Sequence, residues 1–560
     1  MAFGEFVARQ RALLAKNKKI TASASALGVL GIATVVAASW SLTASHTETA
    51  SPQLRASVTE CHDMVTISVA GRGDTPVAGT TKLLVDANGN ELPAAVSGDH
   101  NSQWLDPVVN APKDGTDGDS YQAVYIAYPA NMASYEDAVN TGVANTQQVM
   151  RDIAVACPDT KFSIVGYSEG ADVVRRVAMK IGNGEPDANG RYETVNPDDV
   201  VGVVILADSG RTAGEGTFIG AKDPNGSPDN FDQKYGGGSA GGEGALKGNQ
   251  GGFGKLGGKI ASFCSDGDLT CAAPKNISLL NLVVNVGRQI NADQLEREGL
   301  NATTGQDVAV TLANIAMKAF ADIQSQKNWM ASDETFLSVL LRVSDPNYKP
   351  GESKPATTQA DSIAAENMSP LAYLPQKVFN EIIGLITTNQ NTIPVILSDP
   401  YNLTLGPNGT GHHFDYWRDA KPEEGKQLTS AEYAAAWLTE LAKKAQAGEL
   451  KTTTTTKPAE KAALAAAPTS SGQPGTTTPK PSTTTTTPGS TTSGTTPGTT
   501  TTAPTTTTAP TTTAPAIAPT TTVEAAAPAT TSPEAAKPTT TAPTTTVPAT
   551  TTPATTTAAK

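Results

Sequence analysis

Residues 162–181 read FSIVGYSEGADVVRRVAMKI. Phe162–Val165 is a short apolar strand pattern, and Ala171–Ile181 has the composition of a helix. Between them Gly166-Tyr167-Ser168-Glu169-Gly170 fits G-x-S-x-G. The pattern is common by chance, but here it closes a strand and opens a helix. That is the context a nucleophile-bearing elbow requires. Its glycines let strand and helix approach closely, so the Ser168 hydroxyl projects from the sheet edge. A serine in an ordinary structural turn is the plain alternative.

Working outward, Val65–Ala70 (VTISVA) reads as a strand running into the turn Gly71-Arg72-Gly73-Asp74. Ala123–Tyr128 (AVYIAY) reads as another, ending at Pro129. Tyr135–Val155 has helical spacing through Val139, Val143, Val149 and Ile153. Val200–Leu206 (VVGVVIL) is a continuous apolar run, as in a strand buried on both faces. Strands alternating with helices predict an α/β domain with a parallel sheet. Two stretches interrupt the alternation. Thr212–Lys259 is crowded with glycine and reads by default as a mobile surface loop, with an active-site flap as the sharper reading. Residues 273–399 carry helical patterns, among them Val308–Ile323 and Phe336–Val343, and supply enough material for a helical subdomain. Pro394–Leu397 reads as a strand, and Ser430–Glu449 as a final helix capped by Thr429 or Ser430.

A serine hydroxyl needs a base to become a nucleophile. The chain has five histidines. His46 lies beside the N-terminal apolar segment, His62 follows a cysteine and His100 sits in a polar loop. His412 and His413 come late, in Gly409-Thr410-Gly411-His412-His413, which suits the Ser…Asp…His order of α/β hydrolases. Either could be the base. The acid should lie between serine and histidine. Cys264-Ser265-Asp266-Gly267-Asp268-Leu269-Thr270-Cys271 is the best candidate, because a disulfide there would hold an aspartate in a fixed place.

Charge and composition limit the partners. From Lys451 to Lys560 there are 46 Thr and 17 Pro in 110 residues and no aromatic residue, the composition of a disordered tail. That tail carries +3 and residues 1–45 carry +4, so the whole-chain −13 leaves −20 on residues 46–450. A field of that sign repels phosphate backbones, which argues against nucleic-acid binding. Arg9, Arg11, Lys16, Lys18 and Lys19 precede the apolar run Ala22–Leu42, which reads either as a membrane anchor or as a cleaved signal peptide. Either reading places the middle of the chain outside the cytoplasm, where four cysteines forming two disulfides would be at home. With no CxxC pair and few histidines, a zinc site is disfavoured. The chemistry calls for no metal and no organic cofactor. The Asp-rich stretches Asp114–Asp119 and Asp223–Asp232 read as solvated loops rather than calcium sites.

Taken together, Gly166-Tyr167-Ser168-x-Gly170, Cys264-x-x-x-Asp268-x-x-Cys271 and His413-x-x-Tyr416 resemble the serine-esterase core of cutinases. The secreted cutinase-like proteins of mycolic-acid-bearing actinobacteria are the nearest comparison. The resemblance covers residues 60–275 and about 400–450. It implies Ser168 as nucleophile, His413 as general base and Asp268 as the orienting carboxylate. It pairs Cys61 with Cys157, beside Cys264 with Cys271. Arg72-Gly73-Asp74-Thr75 is similar to the family's oxyanion turn, which implies the backbone N–H groups of Asp74 and Glu169 as oxyanion donors. Two carboxylates so near a developing oxyanion would weaken catalysis unless they point away.

The implied organisation has five parts. They are a basic segment with anchor or signal (1–45), a cutinase-like α/β-hydrolase core (46–275) holding the Gly-rich loop (212–259), and a helical insertion serving as lid or appendage (276–399). The rest of the core (400–450) and a disordered Thr/Pro/Ala-rich tail (451–560) follow. The function implied is an extracytoplasmic serine esterase acting on lipid acyl esters, with cell-envelope glycolipids as candidate substrates and acyl transfer as a variant. The partners would be that ester, the membrane through the N-terminus and the cell wall through the tail. The alternative is a catalytically weak wall-associated scaffold on a hydrolase fold.

Overall fold

A computed structural model of the chain describes residues 56–326, 328–351, 373–407 and 409–450. The segment expected to be an anchor or signal and the Thr/Pro tail lie outside the described residues. Among the described residues no helix is long and apolar enough to cross a membrane.

Among the described residues seven strands form one sheet: β1 (Met64–Val69), β2 (Ala94–Val96), β3 (Tyr121–Ile126), β4 (Lys161–Tyr167), β5 (Val200–Leu206), β6 (Phe218–Ile219) and β7 (Ile260–Phe263). Their order is β2-β3-β1-β4-β5-β7-β6. The five central strands are parallel, and the short edge strands β2 and β6 pair antiparallel to β3 and β7. The apolar runs follow from burial on both faces. In β5, Val200, Val203 and Ile205 enter one core while Val201, Val204 and Leu206 enter the other.

Among the described residues eleven α-helices accompany the sheet. In the core they are α1 (Asp106–Val109), α2 (Tyr135–Ala156) and α3 (Glu169–Asn183). Then come α4 (Ser278–Gly287), α5 (Ala292–Glu298), α6 (Ala302–Ser325), α7 (Phe336–Ser344), α8 (Leu374–Thr387), α9 (Thr392–Leu397) and α10 (Pro400–Thr404). The last is α11 (Ser430–Gln446). Val139, Val143 and Ile153 of α2 and Val173, Val177 and Ile181 of α3 share a cluster with Ile164 of β4. On the opposite face Tyr433, Trp437, Leu438 and Leu441 of α11 pack with Val165 and Tyr167. A capping box fixes the start of α11: the Thr429 hydroxyl accepts from the Glu432 N–H, and Glu432 accepts from the Thr429 N–H.

This strand order determines where a site can form. The chain leaves β1 toward β3, then crosses back to β4 on the other side of β1. Loops after β1 and β4 therefore diverge and open a crevice at their carboxyl ends, the position ligands use in open parallel sheets. Ser168 stands there with φ 59° and ψ −123°, a backbone strained for a residue with a Cβ. Gly170 makes the elbow sterically feasible, since a Cβ on it would lie 2.0 Å from the Val69 carbonyl oxygen.

Two expectations need correction. Pro394–Leu397 is not a strand but lies in helix α9. Pro394 is the third residue of that helix, where its missing N–H costs nothing because first-turn amides lack intrahelical partners. Val395 turns into a small cluster with Leu269, Ile277 and Leu280, while Ile393 and Leu397 remain exposed. The Gly-rich stretch 212–259 is not a loose loop. It contributes β6, buries Tyr235 in one core and Phe253 and Leu256 in the other, and is tied down by Arg211. That buried guanidinium donates to the carbonyl oxygens of Ala240, Gly241 and Cys271.

Gly170→Ala should destabilise the protein by about 3 kcal/mol or prevent folding, since the added methyl meets rigid backbone. Thermal unfolding of the variant beside the native chain checks this; a melting temperature unchanged within error would contradict the steric argument.

Candidate active site

Three side chains far apart in sequence meet beyond the carboxyl end of β4. Ser168 Oγ lies 3.0 Å from His413 Nε2, and His413 Nδ1 lies 2.9 Å from Asp268 Oδ2. Ser168 is 2 % exposed, and His413 and Asp268 are fully buried. With Nδ1–H donating to a carboxylate, Nε2 keeps its lone pair and accepts the serine O–H. His412, the other candidate base, instead contacts Asp415 Oδ2 at 2.6 Å and keeps its side chain 42 % exposed. Of the two histidines, the structure brings His413 to the serine.

His413 sits in the short turn His412–Trp417. Its ring stacks on Tyr167 at 5.1 Å, and its carbonyl oxygen accepts the Tyr167 hydroxyl at 2.8 Å. Asp268 lies on the loop after β7, closed by a Cys264–Cys271 disulfide. The second disulfide joins Cys61, before β1, to Cys157 at the end of α2. Burial by itself would raise the Asp268 pKa. The charge and hydrogen bond of His413, the Tyr416 hydroxyl at 2.8 Å and the Thr270 N–H at 3.0 Å outweigh it and hold the carboxyl below its usual range.

The two proposed oxyanion donors differ. Glu169 opens α3, so its N–H is one of the first-turn amides without an intrahelical partner. The Asp74 N–H donates to the Gly71 carbonyl oxygen at 3.2 Å and closes a turn, so that donor is engaged. Neither side chain repeats the liability read from the sequence. The Asp74 carboxyl turns away to accept from Ser102 Oγ at 2.6 Å and from the Gln103 N–H, and burial lifts its pKa to about 6. Glu169 is 2 % exposed and neither carboxyl oxygen has a hydrogen-bond partner. Burial pushes its pKa well up; Arg72 opposes this while Asp172 and Asp293 add to it, so the neutral acid is favoured.

Ser168 lines a cavity of about 50 Å³ together with Met132, Glu169, Leu246, Val284 and Arg288. Its walls come from the core, the Gly-rich stretch and α4. Sequence reasoning missed the contribution of Arg288. The only signal was a charged residue directly after the apolar helix SLLNLVVNVG, where a solvated end was the simpler reading. Among the described residues no group of three or more His, Cys, Asp or Glu side chains is disposed to hold a metal.

Residues 84–283, which include Ser168 and Asp268, match the family model described as Cutinase. This part of the chain is thus similar to cutinases. A curated relative, "Carboxylesterase Culp6 homolog" of Corynebacterium glutamicum, is 33 % identical over 154 residues, 26 % of this chain. The match spans 46 % of that relative, so the chain covers about half its length. The catalytic core domain of acetyl xylan esterase from Trichoderma reesei is similar at 19 % identity, covering 43 % of this chain and 98 % of that one, with a TM-score of 0.23. For a cutinase-like protein from Cryptococcus sp. the values are 14 %, 41 %, 94 % and 0.24. The matched region ends before His413, so the histidine is placed by geometry alone.

Tyr416→Phe removes one donor from the buried Asp268 carboxylate and should cost about 1.5–3 kcal/mol at pH 7. Because the folded-state pKa of Asp268 is depressed, this stabilisation is present above the unfolded carboxyl pKa and fades as pH falls through the folded value. Chemical denaturation of both proteins from pH 7 downward should therefore show the difference shrinking with acid. A gap independent of pH would mean that Tyr416 acts through packing.

Proposed function

We propose that the chain is a serine carboxylic-ester hydrolase acting through an acyl-serine intermediate. The hydrogen-bonded series Ser168–His413–Asp268 carries this reading. In the first step Ser168 Oγ bonds to the ester carbonyl carbon as its proton passes to His413 Nε2. The carbonyl oxygen takes the negative charge and is met by the Glu169 N–H at the start of α3, where the helix dipole also favours an anion. His413 then protonates the departing alcohol, leaving the acyl group on Ser168. A water attacks that acyl carbon, gives its proton to His413, and the carboxylate leaves as the proton returns to serine. Asp74 would become a second oxyanion donor only if its turn to Gly71 opened. An acceptor alcohol in place of water would make the same site an acyltransferase.

The finer reading is a lipid acyl ester, with envelope glycolipids as the candidate class, in an extracytoplasmic setting. Two disulfides support the setting. The helices after β7 support the lipid, because Met317 and Phe320 on α6 and Phe379, Ile382 and Ile386 on α8 are exposed apolar side chains. In this reading residues 276–399 wall the site as a lid or acyl-binding cleft. The N-terminal run anchors or exports the chain, and the tail reaches into the wall.

The purified whole chain should hydrolyse p-nitrophenyl butyrate, and Ser168→Ala should lower kcat by roughly 10⁴-fold or more. A fluorophosphonate should label Ser168 in the native chain and nothing in the variant. Absence of both turnover and labelling in a folded, disulfide-bonded sample would favour the scaffold reading. Rates across short- and long-chain esters then test the lipid, with loss of activity beyond short chains counting against it.

A further inference from the structure

Helix α4 is apolar along its length except for Ser278, Asn281 and Asn285, and the spacing of these three puts them on one face. Together they line a cleft of about 430 Å³. Its other walls are the turn Lys247–Asn249 of the Gly-rich stretch and the end of α7 with the residues that follow it. Asn281 is 8 % exposed, yet its side-chain amide has no hydrogen-bond partner among the described residues. Neither of its polar atoms is among the unpartnered ones shut off from solvent, so both remain reachable. Buried amides are normally paired. An unpaired but reachable one on the wall of a cleft this size points to a ligand.

The wall decides the ligand's chemistry. Its charges are balanced: Lys247 pairs with Glu243 at 2.7 Å, Arg342 with Asp322 and Glu334, and Asp345 stands 3.8 Å from Arg288. Lys349 is engaged as well. What is left over is neutral. Asn285 donates to Ser344 Oγ at 2.9 Å and Asn347 to Asn249 Oδ1 at 3.0 Å, which leaves both amide oxygens free to accept. The Ser278 hydroxyl and the Asn281 amide can each donate and accept. A phosphate or carboxylate would find these cations already paired, and an acyl chain would strand the amides. An uncharged ligand with several closely spaced hydroxyls matches the set. Tyr348, its own hydroxyl held by Asp322 at 2.6 Å, adds a fixed aromatic ring to the lining, a surface on which the C–H face of a sugar packs. The volume also lies within the range of small-molecule sites, about 300–1,000 Å³.

We propose that this cleft binds a neutral saccharide, with Asn281 as the central hydrogen-bonding residue and Ser278, Asn285 and Asn347 around it. The site does not require Ser168 to be the nucleophile. It adjoins that residue's surroundings all the same, because Ala245 borders both the cleft and the cavity beside Ser168. Two sources share this chemistry: the sugar portion of an ester substrate, and a glycan separate from it.

Isothermal titration of the whole chain with maltose, cellobiose and trehalose, beside glucose 6-phosphate, tests the site. At least one disaccharide should bind with a Kd of about 1 mM or tighter, and the phosphate sugar more weakly. Asn281→Leu, similar in volume, should weaken that binding by about tenfold or more. If it does not fold, Ser278→Ala and Asn347→Ala together should weaken binding by at least about threefold and serve instead. Absence of binding by all three disaccharides, an affinity untouched in the variant, or stronger binding of glucose 6-phosphate overturns the site. An octanoyl monoester of the bound disaccharide then separates the two sources. Hydrolysis with a KM raised by Asn281→Leu makes the sugar part of the substrate. No hydrolysis, or a KM unmoved by the variant, marks a separate glycan, and the saccharide site stands on either result.

Discussion

A carboxylate with no solvent exposure sets the terms for the site. An ion as buried as Asp268 loses several kcal/mol of hydration and persists only if partners surround it. The structure supplies a ring N–H from His413, a phenol O–H from Tyr416 and a backbone N–H from Thr270. Two of these come from the turn after α10, nearly 150 residues further on, so the carboxylate draws that distant turn onto the end of the sheet. The Cys264–Cys271 bridge holds the other side of the contact. Once the His413 N–H is committed to Asp268, the remaining ring nitrogen has one role left, which is to accept from Ser168. The geometry at the serine is thus a consequence of how Asp268 is kept ionised.

The helices after β7 are joined to this site by charge as well as by packing. Arg288, at the end of α4, donates to Glu136 of α2, and Glu136 also accepts from Arg176 of α3. Arg176 continues to Asp172, which accepts from Tyr135 and Asn249. Asp293 of α5 pairs with Arg72, next to the Gly71 that packs on Ser168. Buried pairs of this kind add little net stability, but removing one partner strands the other at a cost of about 3–5 kcal/mol. The inserted helices are therefore fixed to the core beside the serine at two points, and α4 forms part of the cavity wall. A lid that moved would have to break or carry these pairs.

The sheet was legible where burial on both faces wrote continuous apolar runs, so β1, β3, β4 and β5 were found within two or three residues. What escaped was short. β7 is four residues, Ile260–Phe263, directly after a glycine-crowded stretch, and β2 and β6 are shorter still. Local pattern cannot separate such pieces from loop, because pairing with a neighbour makes them strands. Pro394–Leu397, read as a strand, lies instead in a helix whose Val395 joins Leu269, Ile277 and Leu280 in a small cluster, a tertiary contact that the short apolar run does not reveal. In the site, residue types with a chemical role drew attention to Ser168, Asp268 and His413. The engagement of the Asp74 amide with Gly71 was not legible, because it depends on turn geometry, which composition does not encode.

Glu169 shows how the meaning of a residue changes once its burial is known. Read as an ionised carboxylate, it would oppose a negative oxygen forming one residue away. Desolvation reverses this, because the interior that would magnify the repulsion also shifts the side chain toward its neutral acid. Its backbone N–H, one of the first-turn amides of α3 without an intrahelical partner, then has no ionised carboxylate favoured behind it. Arg72 pulls the other way, while Asp293 of α5, its ion-pair partner, adds to the upward shift. Asp293, on a helix after β7, thus helps to favour the neutral form of Glu169, which ties those helices to the surroundings of the serine.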